Sequence, residues 1–333
     1  MNLYLKSSTV PDAAEWDHIW ENCDYATYFH SREWAEVWQR YSHRKLNPAP
    51  RLITFSDGKK ALLPFSCHNK LKGLIHQFIS SPAGTFGGWI SIDNLSENHF
   101  SILFKYITDN YKNIVWRINP YDSFSDCIKN LADIMQDDTH ALNLKGGFDS
   151  IQNYWANKKD AVIRKATKAK KHGIIIKKTK DHKEWKSYYD IYLDSINRWG
   201  PSASSRYSWQ LFQELFSLSS PNISLWLAYY ENKIISGALC FYAKKHVVYW
   251  HGASLSEYFN FRPVNLLMYE IIKDACERGF EWFDFNPSGG HEGVRAFKKS
   301  FGALELPSPV IYLKDTKAKI IEKALKIVRS ITK

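Results

Sequence analysis

Groups able to move protons gather in the last third of this chain. Asp284 and Asn286 flank the end of the run EWFDF at 281–285, and the run HVVYWHGAS at 246–254 carries Tyr249 and His251 two residues apart. In an extended chain that spacing sets Tyr249 and His251 on one side and Val248, Trp250 and Gly252 on the other. A His or an Asp can take a proton from an ammonium, and a Tyr can give one to a leaving group, so Asp284, His251 and Tyr249 form the candidate catalytic set. Each also has a plain structural use, a strand-interior Asp satisfied by backbone hydrogen bonds and a Tyr or His lining a polar-edged core. The expectation is that at least one of the three meets substrate. A second group concerns charge. Arg164, Lys165, Lys168, Lys170 and Lys171 fall on one predicted helix, where residues three and four apart share a face that attracts phosphate. Charge runs are commonly just solvated surface. Here ten Lys and Arg stand against one acid across residues 158–180, an excess whose self-repulsion a passive surface would temper with acids. Arg262, directly before Pro263 at a helix start, is a further phosphate-binding candidate. Arg198 and Trp199 end a long helix with polar and aromatic groups together and, with Asn286, make the candidate acceptor pocket.

These residues need elements to position them. SLWLAYY (224–230), IISGALCFYA (234–243) and HVVYWHGAS are three β-rich runs joined by short polar turns, which predicts an antiparallel meander. Residues 263–278 follow with apolar residues at helical spacing, Pro263 at the first position and Gly279 just past the end. Then comes EWFDF as a buried strand, the loop NPSGGHEG and the short helix VRAFKKSFG. Upstream, the basic helix over 160–172 is stopped by Gly173, IIIKK reads as a strand, and Asp181 with Glu184 three residues on opens the helix WKSYYDIYLDSINRW. The first half holds two Trp-rich helical patterns within 11–41, a hairpin turned at Asp57-Gly58, and a loop SSPAGTFGGW whose Gly84, Gly87 and Gly88 let backbone approach a ligand. A helix near 100–111 and a strand at 114–119 complete it. Trp16, Trp20, Trp34, Trp38, Trp185, Trp199 and Trp209 sit on helical patterns and are expected in the core.

The 333 residues are 44% hydrophobic and 24% charged with a net charge of +11, which describes a globular chain of about two domains and excludes a disordered one. The charge is local: residues 158–180 carry +9 and residues 314–333 carry +5, leaving −3 for the rest. Five scattered cysteines without a C-x-x-C pair predict reduced thiols in the cytoplasm and no metal. The start lacks a secretion signal, and the longest apolar stretch, 234–243, is far below the ~20 residues of a membrane span. Residues 314–333 place Ile320, Ile321, Ala324, Leu325, Ile327, Val328 and Ile331 on one helical face, a basic amphipathic pattern suited to docking on anionic lipid or to packing on the domain. The division expected is 1–139, 140–313 and the terminal helix 314–333.

The strand, strand, strand, helix, strand order with this ending resembles the GNAT acyltransferase superfamily and, within it, the Fem-type family (FemAB-like and CelD-like). The words that carry the resemblance are FHSREWAEVW, SSPAGTFGGW, AVIRKATKAKKHGIIIK, IISGALCFY, YWHGAS, PVNLLMYEIIKDACERGFEWFDFN and FKKSFGA, over about 29–313. The resemblance implies a mixed α/β (α+β) fold of two GNAT-like domains packed together, and transfer of an acyl group to an amine. It implies that parallel strands 247–253 and 281–285 splay apart and that the acyl group lies between them, its carbonyl held by backbone groups the splay leaves unpaired. Lys298 matches the Lys of the family's F-K word, which implies a role beside the donor's phosphate or the reacting carbonyl. Arg164 stands at the family's R-K-A word. Members that use coenzyme A cradle its pyrophosphate in a Gly-containing loop, whereas SEYFNFRPVNLL has no glycine; Fem-type proteins share this departure.

The function expected is an N-acyltransferase of cell-envelope or surface-polysaccharide biosynthesis. Its donor is acyl-CoA or another acyl thioester, placed ahead of aminoacyl-tRNA because the extra helical hairpin common in tRNA-using Fem proteins is not evident. No tightly bound cofactor and no metal are expected. Expected partners are an anionic small-molecule or lipid-linked precursor, tRNA in the second reading, and a membrane surface met by residues 314–333 at its inner face. The alternatives are a Fem-type aminoacyl-tRNA-dependent enzyme acting on a peptidoglycan or sugar precursor, a GNAT-like scaffold without catalysis, and a non-catalytic nucleic-acid-binding protein. Against the last stand the lack of a binding module and the few aromatics interleaved with the basic residues. The oligomeric state is left open.

Overall fold

The computed structural model describes residues 2–70, 73, 75–124, 134–157, 161–200 and 206–313. The chain divides into two compact units, one running to Asp137 and resumed at Pro307, the other Asp138–Leu306. The first unit contains β1 (Leu5–Thr9), α1 (Ala13–Asn22), α2 (Arg32–Tyr41), β2 (Leu46–Pro48), β3 (Arg51–Phe55), β4 (Lys60–Leu63), β5 (Ser66–Lys70), β6 (Ile75–Ile79), α3 (Glu97–Asn110), β7 (Ile114–Arg117) and β8 (Ile134–Met135). The second contains β9 (Asp138–Asn143), α4 (Gly147–Asn157), α5 (Ala161–Lys171), β10 (Ile175–Thr179), α6 (His182–Trp199), α7 (Trp209–Ser217), β11 (Ile223–Tyr230), β12 (Lys233–Tyr242), β13 (His246–Ser254), α8 (Pro263–Glu277), β14 (Trp282–Asp284), α9 (Glu292–Ser300) and β15 (Leu304–Pro307). The chain then returns to the first unit as β16 (Val310–Leu313), antiparallel to β7 from Val310↔Arg117 to Leu313↔Ile114. The second unit therefore begins at Asp138 and ends at Leu306, where 140 and 313 were expected, because the run VIYL completes the other unit's sheet. Residues 158–160, 201–205 and 314–333 lie outside the described residues, among them Pro201 and the expected terminal helix.

In the first unit, Asp12 accepts from the Glu15 amide at 2.8 Å and Ser31 from the Trp34 amide at 3.1 Å, starting the two Trp-rich helices. The Asp57-Gly58 turn joins β3 to β4, with Gly58 at φ +90°. A three-stranded sheet β1-β3-β4 and a six-stranded sheet β2-β5-β6-β7-β16-β8 enclose a core that includes Phe55, Phe65, Trp89 and Trp116.

The second unit is one sheet of order β10-β11-β12-β13-β14-β9-β15 with helices on both faces. On one face α4, α5 and α8 bury Trp155, Val162, Leu267, Met268 and Ile271 against Ala238, Cys240, Tyr242 and Val247. On the other, Tyr188 of α6 closes directly over β12 at Gly237, where a Cβ would come within 2.5 Å of the tyrosine ring. Asp181 caps α6 through the amides of Lys183 and Glu184, as the Asp-x-x-Glu pattern predicts. Five of the seven Trp residues expected in the core are buried there; Trp209 is half-buried, and Trp199 is 42% exposed at the helix end.

Candidate active site

β13 and β14 run parallel through three pairs, His246↔Trp282, Val247↔Phe283 and Val248↔Asp284. There β14 stops, while β13 continues to Ser254. Past Val248 the side of β13 that faced β14 has no strand beside it among the described residues, and a carbonyl placed in that gap can meet main-chain donors. The turn after β14 closes the start of the gap. Asn286 is held in the left-handed region, φ +63°, and its Nδ2 donates to the carbonyl of Tyr249 at 3.1 Å. Asp284, fully buried, accepts the Asn286 amide at 2.7 Å and the hydroxyl of Thr139 at 2.6 Å. Lys298, on α9, donates its Nζ to the carbonyl of Asn286. At 3% exposure it is the only Lys or Arg among the described residues that is buried. Asp284, Asn286 and Lys298 are thus brought together, and Asp284 acts here on the turn's geometry.

Tyr249 and His251 do not share a side as simple alternation requires. The register steps from Leu239↔His251 to Cys240↔Tyr249, so Trp250 is the extra residue of a β-bulge. Adjacent residues of β12 point to opposite faces, and Tyr249 and His251 follow them. Tyr249 packs with Cys240 and the α8 core, and burial pushes its hydroxyl well above the usual tyrosine range. His251 turns toward α6 and α7, where Tyr188, Tyr192 and Phe212 surround its ring at 5.8, 4.4 and 5.3 Å. The Tyr188 hydroxyl lies 2.6 Å from its Nδ1. Burial lowers the His251 pKa to about 3, so the ring is neutral at physiological pH and a weak base. The unfolded His binds a proton below ~6.5 and the folded one does not until near 3, so stability is lost as pH falls through that window. We expect the stability of wild type to fall between pH 6.5 and 5 by up to roughly 1.4 kcal/mol per pH unit more than that of His251→Asn. Equal slopes in urea melts across that range would refute this enclosure of the ring.

The basic helix packs Val162, Ala166 and Ala169 inward, largely against α8. Arg164, Lys168 and Lys171 are exposed and Lys165 half-buried, while Lys170 pairs with Glu270 at 2.7 Å. His172, at the end of α5, stacks on Phe261 at 4.5 Å, which brings that end beside the exposed Arg262 at the start of α8. The start of α8 is a poor pyrophosphate cradle. Pro263 has no N–H, and the amides of Asn265 and Leu266 point back to the Arg262 carbonyl. Arg198 does not reach the gap's turn with Asn286; it pairs with Asp194 and donates to the Ser254 carbonyl at 3.3 Å, tying α6 to the end of β13.

Among the described residues one group could ligate a metal, Asp138, His140 and Glu305. Its carboxylates already face Arg295 and Lys299, with Lys299 2.9 Å from Glu305. The sequence reading did not single out Thr139, Tyr188 or Trp155. Tyr188 lay in an aromatic-rich helix pattern, but nothing local links it to a histidine 63 residues away.

The comparisons bear on this geometry. Residues 157–299 match the family model described as an acetyltransferase (GNAT) domain. Over 84 residues the chain is 38% identical to lipid II:glycine glycyltransferase of Staphylococcus haemolyticus, a stretch covering 23% of this chain and 20% of that protein. The Staphylococcus aureus protein of the same name is 34% identical over 79 residues, 22% and 19% of the two chains. The crystal structure of FemX superposes with a TM-score of 0.71 at 14% identity, covering 92% of this chain and 97% of that one. Residues 157–299 thus match a GNAT domain, and the fold over nearly the whole chain is that of FemX. The chain spans about a fifth of the length of the curated relatives it matches. The GNAT-like unit here is the one built on β9–β15, and its strand parting is where Fem-type resemblance implied the acyl group. L-PGS from Bacillus licheniformis, TM-score 0.52 at 11% identity over 88% of this chain and 96% of that one, shares the fold.

Proposed function

We propose that this protein transfers an aminoacyl group from aminoacyl-tRNA to an amine of a lipid-linked cell-envelope precursor. The observation that carries this reading is the strand parting closed by Asn286 and the buried Lys298, in a chain whose 84-residue match is to a lipid II:glycine glycyltransferase. The acyl thioester that the sequence placed first moves to second, because the start of α8 offers so few free amides for a pyrophosphate. In the reaction the acceptor amine attacks the ester carbonyl, a C–N bond forms and the C–O bond to the ribose breaks. The proton leaving the amine ends on the released hydroxyl. Main-chain donors of β13 beyond Val248 and the Lys298 ammonium stabilise the oxyanion, and Asp284 positions the turn that brings them together. In this reading Arg164, Lys165 and Arg262 bind backbone phosphates of the donor, and the protein works in the cytoplasm alongside charged tRNA. No helix among the described residues is long and apolar enough to cross a membrane.

The test offers purified protein labelled glycyl-tRNA or glycyl thioester, each with a lipid II-type acceptor. Transfer from the tRNA alone, with donor binding that weakens steeply with salt and a several-fold higher donor KM in Arg164→Ala, is expected. Transfer from the thioester but not from the tRNA would restore the first reading.

A further inference from the structure

Asn286 is held through its main-chain N–H, its main-chain carbonyl and its side-chain Nδ2, yet one polar atom of its side chain is left over. Its main-chain N–H is taken by Asp284, its main-chain carbonyl by Lys298, and its Nδ2 by the carbonyl of Tyr249. The last contact sets the orientation of the amide, since the flipped form would put two carbonyl oxygens 3.1 Å apart. Oδ1 is consequently forced away from the β13 backbone. It is buried and has no hydrogen-bond partner among the described residues, and the same holds for the hydroxyl of Ser288 two residues on. A buried acceptor without a partner costs roughly 1–3 kcal/mol, so one held in place by three hydrogen bonds calls for a ligand.

Such an atom accepts and cannot donate, so its ligand brings an N–H or O–H. It stands at the point where β13 and β14 part, the place assigned above to the acyl group. Both substrates of aminoacyl transfer carry an amine at that point, the α-amino group of the donor and the nucleophile of the acceptor.

We propose that Asn286 Oδ1 binds a substrate amine nitrogen and thereby makes the site selective for aminoacyl transfer over plain acyl transfer. This rests on the aminoacyl-transfer reading. The left-handed turn, the buried Asp284 and the buried Lys298 then have a common purpose, to hold one amide oxygen in a fixed direction beside the parting of β13 and β14.

The experiment compares wild type, Asn286→Ala and Asn286→Asp, the last keeping an oxygen acceptor at the position, after thermal melts show that each variant is folded. The probes are 3′-glycylamido-adenosine and 3′-acetamido-adenosine, non-hydrolysable and differing only in the amino group, together with turnover on glycyl-tRNA and acetyl-tRNA. If the donor's amine is the ligand, wild type prefers the glycyl probe at least tenfold in Kd, Asn286→Ala removes that preference, and Asn286→Asp, whose carboxylate cannot donate to the Tyr249 carbonyl and so loses the fixed orientation, lowers it. If the acceptor's amine is the ligand, the two probes bind alike and Asn286→Ala raises the acceptor KM at least tenfold with the donor KM unchanged. A uniform fall in kcat in Asn286→Ala, with donor preference and both KM values as in wild type, would overturn the inference and assign Asn286 to the fold. Binding preference in wild type without transfer from glycyl-tRNA would instead overturn the functional reading and leave the amine site standing.

Discussion

Replacing Lys298 by Ala is expected to lower kcat for aminoacyl transfer by about 10²–10³-fold, the scale seen when one donor to a developing oxyanion is removed. The residue is 3% exposed, and its ammonium is directed to the Asn286 carbonyl at the strand parting. A charge buried there costs free energy even when hydrogen-bonded, and at the strand parting it stands where it can act on an oxyanion that forms during the reaction. Because the effect is on the transition state, donor KM should change by less than about threefold while kcat and kcat/KM fall together. Lys298→Met keeps the length and loses the charge, and it should fall as far as Lys298→Ala. Single-turnover transfer of labelled glycine measures the loss; a fall of less than about fivefold in both folded variants would remove Lys298 from the chemistry.

The largest effect on stability is expected at Trp155. This side chain of α4 is fully buried, lies 5.7 Å from the ring of Tyr269 and 6.1 Å from that of Phe301, and donates its indole N–H to the Phe301 carbonyl at 2.9 Å. Truncation to Ala leaves a cavity of most of an indole and an unmet carbonyl, at a cost of about 3–5 kcal/mol. For a protein of this size each kcal/mol moves Tm by roughly 2–4 °C, so a drop on the order of 10 °C is expected. Trp155→Phe keeps the ring and loses the hydrogen bond, and should cost about 1–2 kcal/mol. The consequence reaches function because Phe301 follows directly on α9, the helix that carries Lys298. Urea melts followed by circular dichroism check the ordering, and a loss below about 1 kcal/mol in Trp155→Ala would show that α4 is not what anchors α9.

Much of the site was legible because it depends on local signals. The meander β11–β13 was announced by β-rich runs with short polar turns, α8 by Pro263 and Gly279 at its two ends, and α6 by Asp181 and Glu184. Asn286 stands directly after the strand run EWFDF, and the resemblance pointed to Lys298 in the word FKKSFG, so both residues of the proposed site were named from short local words. What failed depended on long-range pairing. A bulge at Trp250 leaves no mark in the run HVVYWHGAS, yet it sends Tyr249 and His251 to opposite faces and encloses the histidine among rings from α6 and α7. Arg198 looked available at a helix end, but the end of β13 lies beside it and takes its guanidinium. The run VIYL had the right alternation for a strand and nothing in it to say which sheet would accept it.

By itself the sequence determined the meander, α8 and the strand after it, the two basic segments and an aspartate and an asparagine at one strand end, while Lys298 was brought beside them only by the family resemblance. These follow from periodicity, caps and turn residues, which act over a few neighbouring positions. Only the tertiary structure decided that β14 stops three pairs into its parallel partner, that Thr139 from β9 arrives to satisfy Asp284, and that Lys298 is buried against Asn286. Those outcomes depend on hydrogen bonds and burial between residues more than a hundred positions apart in the case of Thr139 and Asp284, where no local pattern carries the information.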